Sequence, residues 1–360
     1  MQLRWQPKYE LSNETIDFLM KIASLKDAIS NTLITPKIEA KLKHEARLKS
    51  THFSTRIEGN RLSLKQTKDV IDENKKDFFG RERDVKEVEN YWNALIEVGK
   101  LALKQTIFSE ELIKKIHALV EKGKKAKPTP YRTAQNVIKD SMTGGIVYLP
   151  PEAKDVPGLM KEFVNWVKWA EKTKVPVPVI AALVHYQFVT VHPYYDGNGR
   201  TARLLATFIL QKGNFGLNGM FSLEEYHARE IETYYEKLST HPHHNYYEGR
   251  ESADLTKWVI YFLKLVQDAF TELKETVQSQ TSSGTKKNLE NMKELDRRAR
   301  EIYPLFDSSV TITSLDISRV LKVKKRMAAY LAKDWVKKGF LVAVGESNKT
   351  RAYILADKYK

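Results

Sequence analysis

The chain has 360 residues, no cysteine and a formal net charge of +15. This length allows a large core and two or three domains. The absence of cysteine excludes disulfides and thiolate chemistry and is compatible with a reducing compartment. No segment reaches the length needed to cross a bilayer and the first residues lack an apolar run, so we expect a cytoplasmic protein with no membrane contact.

The positive charge is unevenly distributed along the chain. Residues 281–360 hold 18 Lys+Arg against 9 Asp+Glu. A basic region of this kind is compatible with nucleic-acid binding, but it also keeps many proteins soluble. Both interpretations stay open at this point.

The N-terminal part of the chain reads as helical. We predict a helix over about 12–32 and a second over 36–57, which ends at a glycine. Ser54 and Glu58 are four residues apart and share a helix face, so Glu58 would project where the second helix ends.

Further elements follow before the centre of the chain. Helices are predicted over 63–73 and 85–98, and a third begins with Ser109 as a natural N-cap. Residues 136–140 and 146–149 flank a glycine-bearing turn, which is typical of a β-hairpin.

The densest group of reactive side chains lies at residues 192–203, which read HPYYDGNGRTAR. Apolar helical patterns precede and follow this stretch. Pro193 disfavours the α conformation at His192, so the first helix should stop at the imidazole. Gly197 and Gly199 let backbone amides converge at the start of the second helix, where the macrodipole favours an anion such as phosphate.

Charged side chains complete this predicted anion site. Arg200 and Arg203 lie on one face of the second helix and can hold phosphate oxygens. Asp196 is a suitable Mg²⁺ ligand beside phosphates, and His192 can take a proton near neutral pH. A Gly-Asn-Gly turn or a single histidine is usually structural on its own, whereas the joint pattern indicates a reaction site.

The stretch is similar to the motif of the Fic family, His-Pro-Phe-x-Asp/Glu-Gly-Asn-Gly-Arg-x-x-Arg, with Tyr194 in place of the usual Phe. The resemblance implies a mainly α fold, with a Fic-fold helical core and a β-hairpin flap. It also implies a protein adenylyltransferase, which moves AMP from ATP to a Tyr, Thr or Ser hydroxyl of a protein, including itself, and releases pyrophosphate.

The same resemblance assigns roles to the residues of the motif. His192 would be the general base, and Asp196 would hold Mg²⁺ on the α- and β-phosphates. Arg200 would contact the β-phosphate and Arg203 the γ-phosphate. The anion hole would be formed by Gly197, Asn198 and Gly199.

Ser54 to Gly59 fits the inhibitory pattern Ser/Thr-x-x-x-Glu-Gly/Asn of the family. In that pattern the glutamate, here Glu58, pairs with the second arginine of the motif, here Arg203, and blocks the γ-phosphate. The resemblance therefore places this chain in the class with an N-terminal inhibitory helix. Taken alone, the pattern is also a routine helix ending.

The hairpin would be the flap of the family, which covers the nucleotide and offers a strand edge to the target. Its predicted residues are Gly145, Ile146, Val147 and Tyr148, of which Val147 and Tyr148 would also contact the nucleotide. The alternative is a simple surface ribbon.

Other nucleotide contacts are predicted from position. Gln187 precedes the motif on its entering helix, although such a residue is often only an exposed polar position. Family members often carry a Tyr-Tyr pair near the adenine and ribose, so the resemblance implies Tyr235, and then Tyr234, on a helix predicted over 225–238, with core packing as the alternative. Asn245 is a candidate adenine contact.

The nearby histidines, His241, His243 and His244, have no carboxylate or cysteine at ligand spacing. We therefore interpret them as part of a polar loop rather than a metal site.

The C-terminal part is predicted as a helix over 254–278, a flexible linker over 278–286 and a helix over 287–306. A strand, two helices and a hairpin follow in the order of a winged helix, whose recognition helix would begin at Lys324, Lys325 and Arg326. Its partner would be DNA or a protein chain.

The predicted domains are an N-terminal helical region with the inhibitory helix, a Fic catalytic core, the linker and the winged helix, at 1–85, 86–277, 278–286 and 287–360. Family members often form homodimers. Two further hypotheses stay open: a Fic enzyme with another donor such as UMP or phosphocholine, or one that removes AMP, and a DNA-binding regulator that senses nucleotide.

Overall fold

The structure, a computed structural model, describes residues 5–32, 34–124, 127–139, 144–282, 295–303, 305–308, 311–344 and 352–359. The chain divides into two compact units. The first comprises Met1–Ala28 and Lys43–Leu273, and the second comprises Ile29–Leu42 and Lys274–Lys360. Most of the predicted N-terminal region therefore lies in the same unit as the predicted catalytic core.

The helices described from the N-terminus to residue 282 confirm the expected mainly α fold. They are α1 (Asn13–Asn31), α2 (Pro36–Ile57), α3 (Leu64–Asp72), α4 (Glu82–Leu103), α5 (Glu110–Lys122), α6 (Val156–Lys172), α7 (Val177–Val191), α8 (Asn198–Lys212), α9 (Leu223–Arg229), α10 (Ile231–Leu238) and α11 (Thr256–Ser282). Short 3₁₀ turns lie at Leu217–Gly219 and Arg250–Ser252.

Several helix ends lie where capping chemistry predicts them. The hydroxyl of Ser63 accepts from the amide of Gln66, whose side chain accepts in return from the Ser63 amide, so a complete capping box begins α3. Ser109 caps α5 by accepting from the amide of Leu112 at 3.2 Å. These bonds satisfy amides that the first helical turn leaves without a partner.

Three parts of the helical prediction differ from the structure. The helix predicted over 225–238 is two helices, which meet at Glu230 with φ −120°. No glycine or proline marks that break. Helix α6 was missed although its apolar residues recur at helical spacing, and α11 continues to Ser282 into the predicted linker.

Helix α7 forms the centre of the first unit. Its residues 178–188 are all buried, as expected for a helix that is apolar on every side. Helix α8 packs against α7 and also contacts α4 and α5, while α6 packs on α7. The end of α7 and the start of α8 are therefore held firmly in the core.

The predicted hairpin is present but short. Strands β1 (Ile138–Lys139) and β2 (Ile146–Tyr148) pair antiparallel, with Ile138 opposite Tyr148 and an irregular register beside it. Of the predicted turn at 141–145, residues 141–143 lie outside the described residues. Beyond β2, the amide of Leu149 donates to the carbonyl of His244 at 2.8 Å, so a second segment supports the hairpin.

The second unit has its own core. It contains α12 (Arg297–Ile302), α13 (Leu305–Ser308), α14 (Ser314–Leu321), α15 (Lys325–Lys337), β3 (Leu341–Val344) and β4 (Ala352–Leu355). The strands pair antiparallel from Leu341 opposite Leu355, and Ile312 bridges to Tyr353. Trp335 is buried among these elements. The element order is the predicted one, and the winged-helix assignment stays a prediction.

Parts of this C-terminal prediction lie outside the described residues, namely 283–294 and 304 in the predicted linker and first helix, 310 in the predicted first strand and 351 in the predicted hairpin. Over the part of the chain that the structure describes, no helix combines the length and apolar composition needed to cross a bilayer.

The N-cap of α5 makes a simple test of the fold. Ser109→Ala removes the acceptor for the Leu112 amide, so we expect the free energy of unfolding to fall by about 1 kcal/mol in urea denaturation. Ser109→Asp, which keeps a capping oxygen, is the matched control and should stay near the wild type. Equal stability of the alanine and aspartate variants would contradict this account of the helix start.

Candidate active site

Helix α7 ends at His192, as Pro193 predicts. His192 has φ 49° and ψ 59°, which is left-handed backbone. Its amide still donates to the carbonyl of Phe188 at 3.0 Å, so the helix is complete up to this point. The rest of the motif then turns away and leads into α8.

The hydrogen bond of the His192 ring assigns its tautomer. Nδ1 lies 3.2 Å from the carbonyl oxygen of Val189. Because a carbonyl can only accept, Nδ1 carries the hydrogen and Nε2 keeps its lone pair. Burial lowers the pKa of His192 to about 4, although the hydrogen bond to Val189 and the charge of Glu58 act in the opposite direction. The ring is therefore neutral near pH 7 and can accept a proton at Nε2.

Arg132 holds the backbone at this corner, and the sequence did not reveal it. Its Nε donates to the carbonyl of His192 at 2.9 Å, Nη1 donates to the carbonyl of Ala134 at 3.2 Å, and Nη2 donates to the carbonyl of Pro151. The side chain is buried. One guanidinium thus ties the end of α7 to both sides of the hairpin.

The glycine turn has the geometry of an anion site. Gly197 has φ 75°, a conformation that favours glycine, and caps α8. The first backbone bond of α8 runs from the amide of Thr201 to the carbonyl of Gly197 at 2.9 Å. Within the described residues, the amides of 198–200 have no acceptor, so they can receive an anion.

Asn198 supports the turn through its side chain. Its Nδ2 donates to the carbonyl of Tyr194 at 2.8 Å, and its Oδ1 accepts from the Tyr194 amide at 3.1 Å. Both ends of the carboxamide therefore bond to the backbone of Tyr194 and hold the turn in place. The backbone amide of Asn198 stays directed to the start of α8, where an anion can bind.

Tyr194, which replaces the usual phenylalanine, stacks on His117. The two ring centroids are 3.5 Å apart and the planes differ by 10°. Nε2 of His117 donates to the carbonyl of Asp196 at 2.9 Å. His117 therefore fixes both the aromatic residue and the backbone that precedes Gly197.

Arg200 is buried among carboxylates that the sequence did not connect to it. Its Nη2 lies 3.1 Å from Glu121 and 3.3 Å from Asp196, and its Nη1 lies 3.8 Å from Glu87. Burial raises the pKa of Glu121, while Arg200 lowers it in part. Sequence spacing gives no sign of this grouping, because Glu87 and Glu121 lie on α4 and α5, far from the motif.

Asp196 fits the role of a metal ligand that works together with a substrate. Its Oδ1 accepts from the amide of Gly197 at 2.6 Å, while the side chain as a whole is 55% exposed. Among the described residues, no group of three His, Asp or Glu side chains could hold a metal ion. A single carboxylate suits Mg²⁺, which commonly takes its remaining ligands from phosphates and water.

Arg203 is held by the end of α2. Its Nε donates to the hydroxyl of Ser54 at 2.8 Å, and its Nη2 donates to the carbonyl of Ser54 at 2.9 Å and to Oε1 of Glu58 at 2.8 Å. Burial lowers the pKa of Arg203, but the charge of Glu58, the neighbouring Tyr234 and Tyr91 and the hydrogen bond to Glu58 together outweigh it, so the pKa is raised overall. The structure thus brings together the three residues of the predicted inhibitory contact.

Glu58 also lies directly against the glycine turn. A Cβ added to Gly199 would be 2.2 Å from Oε1 of Glu58 and 3.3 Å from Nη1 of Arg203. The carboxylate therefore occupies space beside the free amides of α8. A negative phosphate oxygen and the Glu58 carboxylate would compete for the same positive surroundings.

The predicted nucleotide contacts divide into buried and exposed residues. Tyr234 is buried with its hydroxyl 3.0 Å from Nε2 of His185, whereas Tyr235 is 51% exposed. Gln187 is buried in α7 rather than exposed. The exposed position favours Tyr235 over Tyr234 as a ligand contact.

The predicted hairpin residues also divide into a buried residue and exposed ones. Tyr148 is buried and its hydroxyl donates to the carbonyl of Thr190 at 2.7 Å, so it anchors the hairpin to α7. Gly145, Ile146 and Val147 are exposed. Their role as a flap stays a prediction.

The loop after α10 shows no special arrangement for a ligand. Asn245 uses its side chain locally, accepting from the amide of Tyr247 and donating to Glu248, both at 3.1 Å. His243 lies 3.6 Å from Glu248, and His241 stacks on His243 at 5.4 Å. The polar-loop interpretation agrees with these contacts.

The motif and its supporting helices belong to a known family of domains. Residues 107–210 match the Fic/DOC family. The match runs from the residues before α5 through most of α8, and so includes the whole motif. The chain therefore contains a Fic/DOC domain.

Relatives and solved structures agree with this assignment. The chain is 26% identical over 208 residues to a protein adenylyltransferase Fic of Drosophila virilis, which covers 55% of this chain and 39% of the relative. It is 27% identical over 208 residues to the protein of the same name from Drosophila grimshawi, with 55% and 40% covered. The chain thus spans about two fifths of the length of these relatives.

Similar folds occur in bacterial and animal proteins. A Fic family protein from Desulfovibrio desulfuricans G20 has a TM-score of 0.62 and 22% identity, with 98% of this chain and 99% of that one covered. Fic-1 (residues 134–508) from C. elegans has a TM-score of 0.59 and 24% identity, with 74% and 73% covered. These likenesses establish a Fic fold.

Buried histidines should make the stability depend on pH. Burial lowers the pKa of His117 and His192 to about 4 and of His227 to about 3. These values lie below that of an unfolded histidine, about 6.5, so stability is full above that pH and falls as the pH drops towards 4. For each of these rings, the free energy of unfolding falls by up to about 1.4 kcal/mol per pH unit in that window.

The variant His117→Phe tests this dependence, because it keeps an aromatic ring on Tyr194 but removes one titrating group. We expect a shallower loss of stability between about pH 6.5 and about pH 5 in urea denaturation. His244→Phe, at an exposed side chain, is the control and should keep the wild-type slope. The account is wrong if His117→Phe and the wild type lose stability equally over this range.

Proposed function

We propose that the chain is a protein adenylyltransferase, which transfers AMP from ATP to a hydroxyl side chain of a protein. The observation that carries the proposal is the meeting of three features at one turn. These are the free amides of residues 198–200, the buried guanidinium groups of Arg200 and Arg203, and a neutral imidazole at His192 with Nε2 able to accept a proton. Relatives named protein adenylyltransferase support it.

In this reaction the hydroxyl of the target attacks the α-phosphate of ATP. A bond forms between the hydroxyl oxygen and the α-phosphorus, and the bond to the β-phosphate oxygen breaks. Nε2 of His192 takes the hydroxyl proton, and pyrophosphate leaves. The amides of the glycine turn and the two arginines stabilise the phosphate charge through donors already fixed by the fold.

Magnesium would add positive charge to the phosphates. Asp196 would hold it, because its carboxylate is exposed next to the turn and one of its oxygens is kept in place by the Gly197 amide. Arg83 and Arg200 lie 3.5 Å and 3.3 Å from this carboxylate and balance its charge in the present state. His117 keeps the Asp196 backbone in position.

The proposal includes autoinhibition by α2. The Glu58 carboxylate forms an ion pair with Arg203 at 2.8 Å and lies against Gly199. A γ-phosphate placed on Arg203 would have to displace it, since two anions cannot share the same donors. Ser54 holds the other side of the guanidinium and fixes the end of α2 beside it.

The target would approach over the exposed part of the hairpin, residues 144–147. An extended target segment could pair with the free edge of β2, as in other cases of strand addition. Arg132 and Tyr148 donate hydrogen bonds to the carbonyls of His192 and Thr190, respectively, at the end of α7. A target residue at this edge would therefore lie near His192.

The central test compares Glu58→Gly with the wild type in ATP and Mg²⁺. Removing the carboxylate frees Arg203, so we expect self-adenylylation to rise strongly, measured as incorporation of labelled AMP and as a mass increase of the intact protein. In the Glu58→Gly background, His192→Ala should lower the rate by roughly 10²–10⁴-fold, which is the usual contribution of a positioned base.

Ser54→Thr, which keeps the hydroxyl that contacts Arg203, is the matched control for substitution at the end of α2. Incorporation of label at the wild-type level in Glu58→Gly would contradict autoinhibition. Full activity after loss of the His192 ring would contradict the proposed base. Mass spectra after incubation with UTP or a choline donor would reveal a different transferred group.

The metal role of Asp196 has its own test. In the Glu58→Gly background, Asp196→Asn should raise the Mg²⁺ concentration needed for half-maximal activity, because an amide is a weaker ligand for a hard cation. Asp254→Asn, at an exposed carboxylate that bonds to Thr256, is the control. An unchanged Mg²⁺ requirement in Asp196→Asn would exclude this carboxylate as the ligand.

Other parts of the prediction concern the second unit and assembly. Lys324, Lys325 and Arg326 are exposed at the start of α15, as a DNA-reading or protein-binding helix requires. The identity of that partner, a homodimer and a cytoplasmic location stay predictions from the sequence.

A further inference from the structure

Glu224 is a buried carboxylate with an unusual set of partners. It lies in the first turn of α9 with 2% of its surface exposed. Oε2 accepts from the hydroxyls of Ser50 at 2.7 Å and Ser222 at 3.0 Å, and Oε1 accepts from the hydroxyl of Tyr91 at 3.0 Å. Within the described part of the chain, no Lys, Arg or His forms an ion pair with it. A buried anion of this kind needs a positive charge nearby to offset its desolvation.

The charge of Arg203 acts on Tyr91, the residue that donates to Glu224. Nε of Arg203 donates to the hydroxyl of Ser54 on α2. Burial and then Glu224 raise the pKa of Tyr91 well above its usual value, whereas Arg203 and Ser54 lower it, so the phenol lies under the influence of both charges.

Helix α2 contacts Glu224 directly through Ser50. Ser50 and Ser54 are four residues apart on α2, and Glu58 follows four residues later, just after the helix ends at Ile57, so the three side chains lie on one face. Ser50 contacts Glu224, Ser54 contacts Arg203, and Glu58 also contacts Arg203. Glu224 and Arg203 are thus the two charged groups on which this face of α2 rests.

We propose that Glu224 is a positioning residue for autoinhibition: it fixes α2 so that Glu58 reaches Arg203. This inference rests on the proposed function. Glu58 is the residue that a ligand can displace, since 28% of its side chain is exposed. Ser50, Tyr91 and Glu224 are buried and keep their contacts. A ligand that displaces Glu58 would leave these contacts intact, and α2 would guide the carboxylate back.

The test uses Glu224→Gln in the full chain, alone and combined with Glu58→Gly. Removing the charge weakens the bonds from Ser50 and Tyr91, so we expect self-adenylylation about tenfold above the wild type, which corresponds to the loss of one hydrogen bond to a charged group. Combined with Glu58→Gly, the same change should add nothing, because the inhibitory carboxylate is already absent.

A second pair of variants separates positioning from general stability. Ser50→Ala and Ser222→Ala each remove one hydroxyl from Oε2 of Glu224, but only Ser50 lies on α2. We expect Ser50→Ala to raise activity and to speed hydrogen exchange of the amides of residues 50–58. Ser222→Ala, which also uncaps α9, should lower thermal stability without raising activity.

The outcomes distinguish this inference from the proposed function. An inactive Glu58→Gly variant would overturn the adenylyltransferase proposal itself. With Glu58→Gly active, wild-type activity and wild-type exchange in both Glu224→Gln and Ser50→Ala would overturn the role of Glu224. A double variant less active than Glu58→Gly would show that Glu224 supports the active site directly, and would also overturn it.

Discussion

The ion pair between Arg203 and Glu58 is the constraint on which the site depends. A guanidinium buried to this extent is costly without an anion beside it. Among the described residues, Glu58 is the carboxylate at ion-pair distance from Arg203, 2.8 Å away. Under the proposed function, the anion at this position would be either this carboxylate or a phosphate. Inhibition and substrate binding would then exclude each other without any large movement of the fold.

The same burial determines the state of the base. The low-dielectric surroundings that make Arg203 require an anion also lower the pKa of His192 to about 4 and keep its ring neutral. A base with so low a pKa binds a proton weakly, and Glu58 raises its pKa in part. Phosphate groups would supply a similar negative charge once Glu58 is displaced. The imidazole would thus gain basicity at the moment when a substrate is present.

Much of this arrangement was predictable from local sequence. The end of α7 follows from Pro193, the start of α5 follows from a capping serine, and the turn before α8 follows from Gly197. Each of these depends on residues within one helical turn. The contact between Glu58 and Arg203 was also predicted, but only because a family resemblance connected two segments 145 residues apart.

The residues that sequence reasoning missed share one property: their partners are distant in the chain. Arg132 holds the carbonyl of His192, 60 residues away, and Tyr91 contacts Glu224, 133 residues away. The helix predicted over 225–238 begins one residue after Glu224, and sequence spacing says nothing of which hydroxyls surround that carboxylate. The break at Glu230 was missed for a different reason: the helix is divided at a point where no glycine or proline in the sequence predicts a break.

Gly199 lies at the position where the Glu58 carboxylate and the proposed phosphate would compete. It lies in ordinary helical conformation, so its lack of a side chain is not needed for the backbone. A Cβ there would lie 2.2 Å from the Glu58 carboxylate, and it would equally crowd a phosphate oxygen placed on the amides of α8. Because the proposed phosphate and the Glu58 carboxylate would occupy the same space beside the same donors, the missing side chain of Gly199 would be needed for both. The proposed competition would thus depend on the backbone of the turn, and Glu58, just after the end of α2, would be the group displaced.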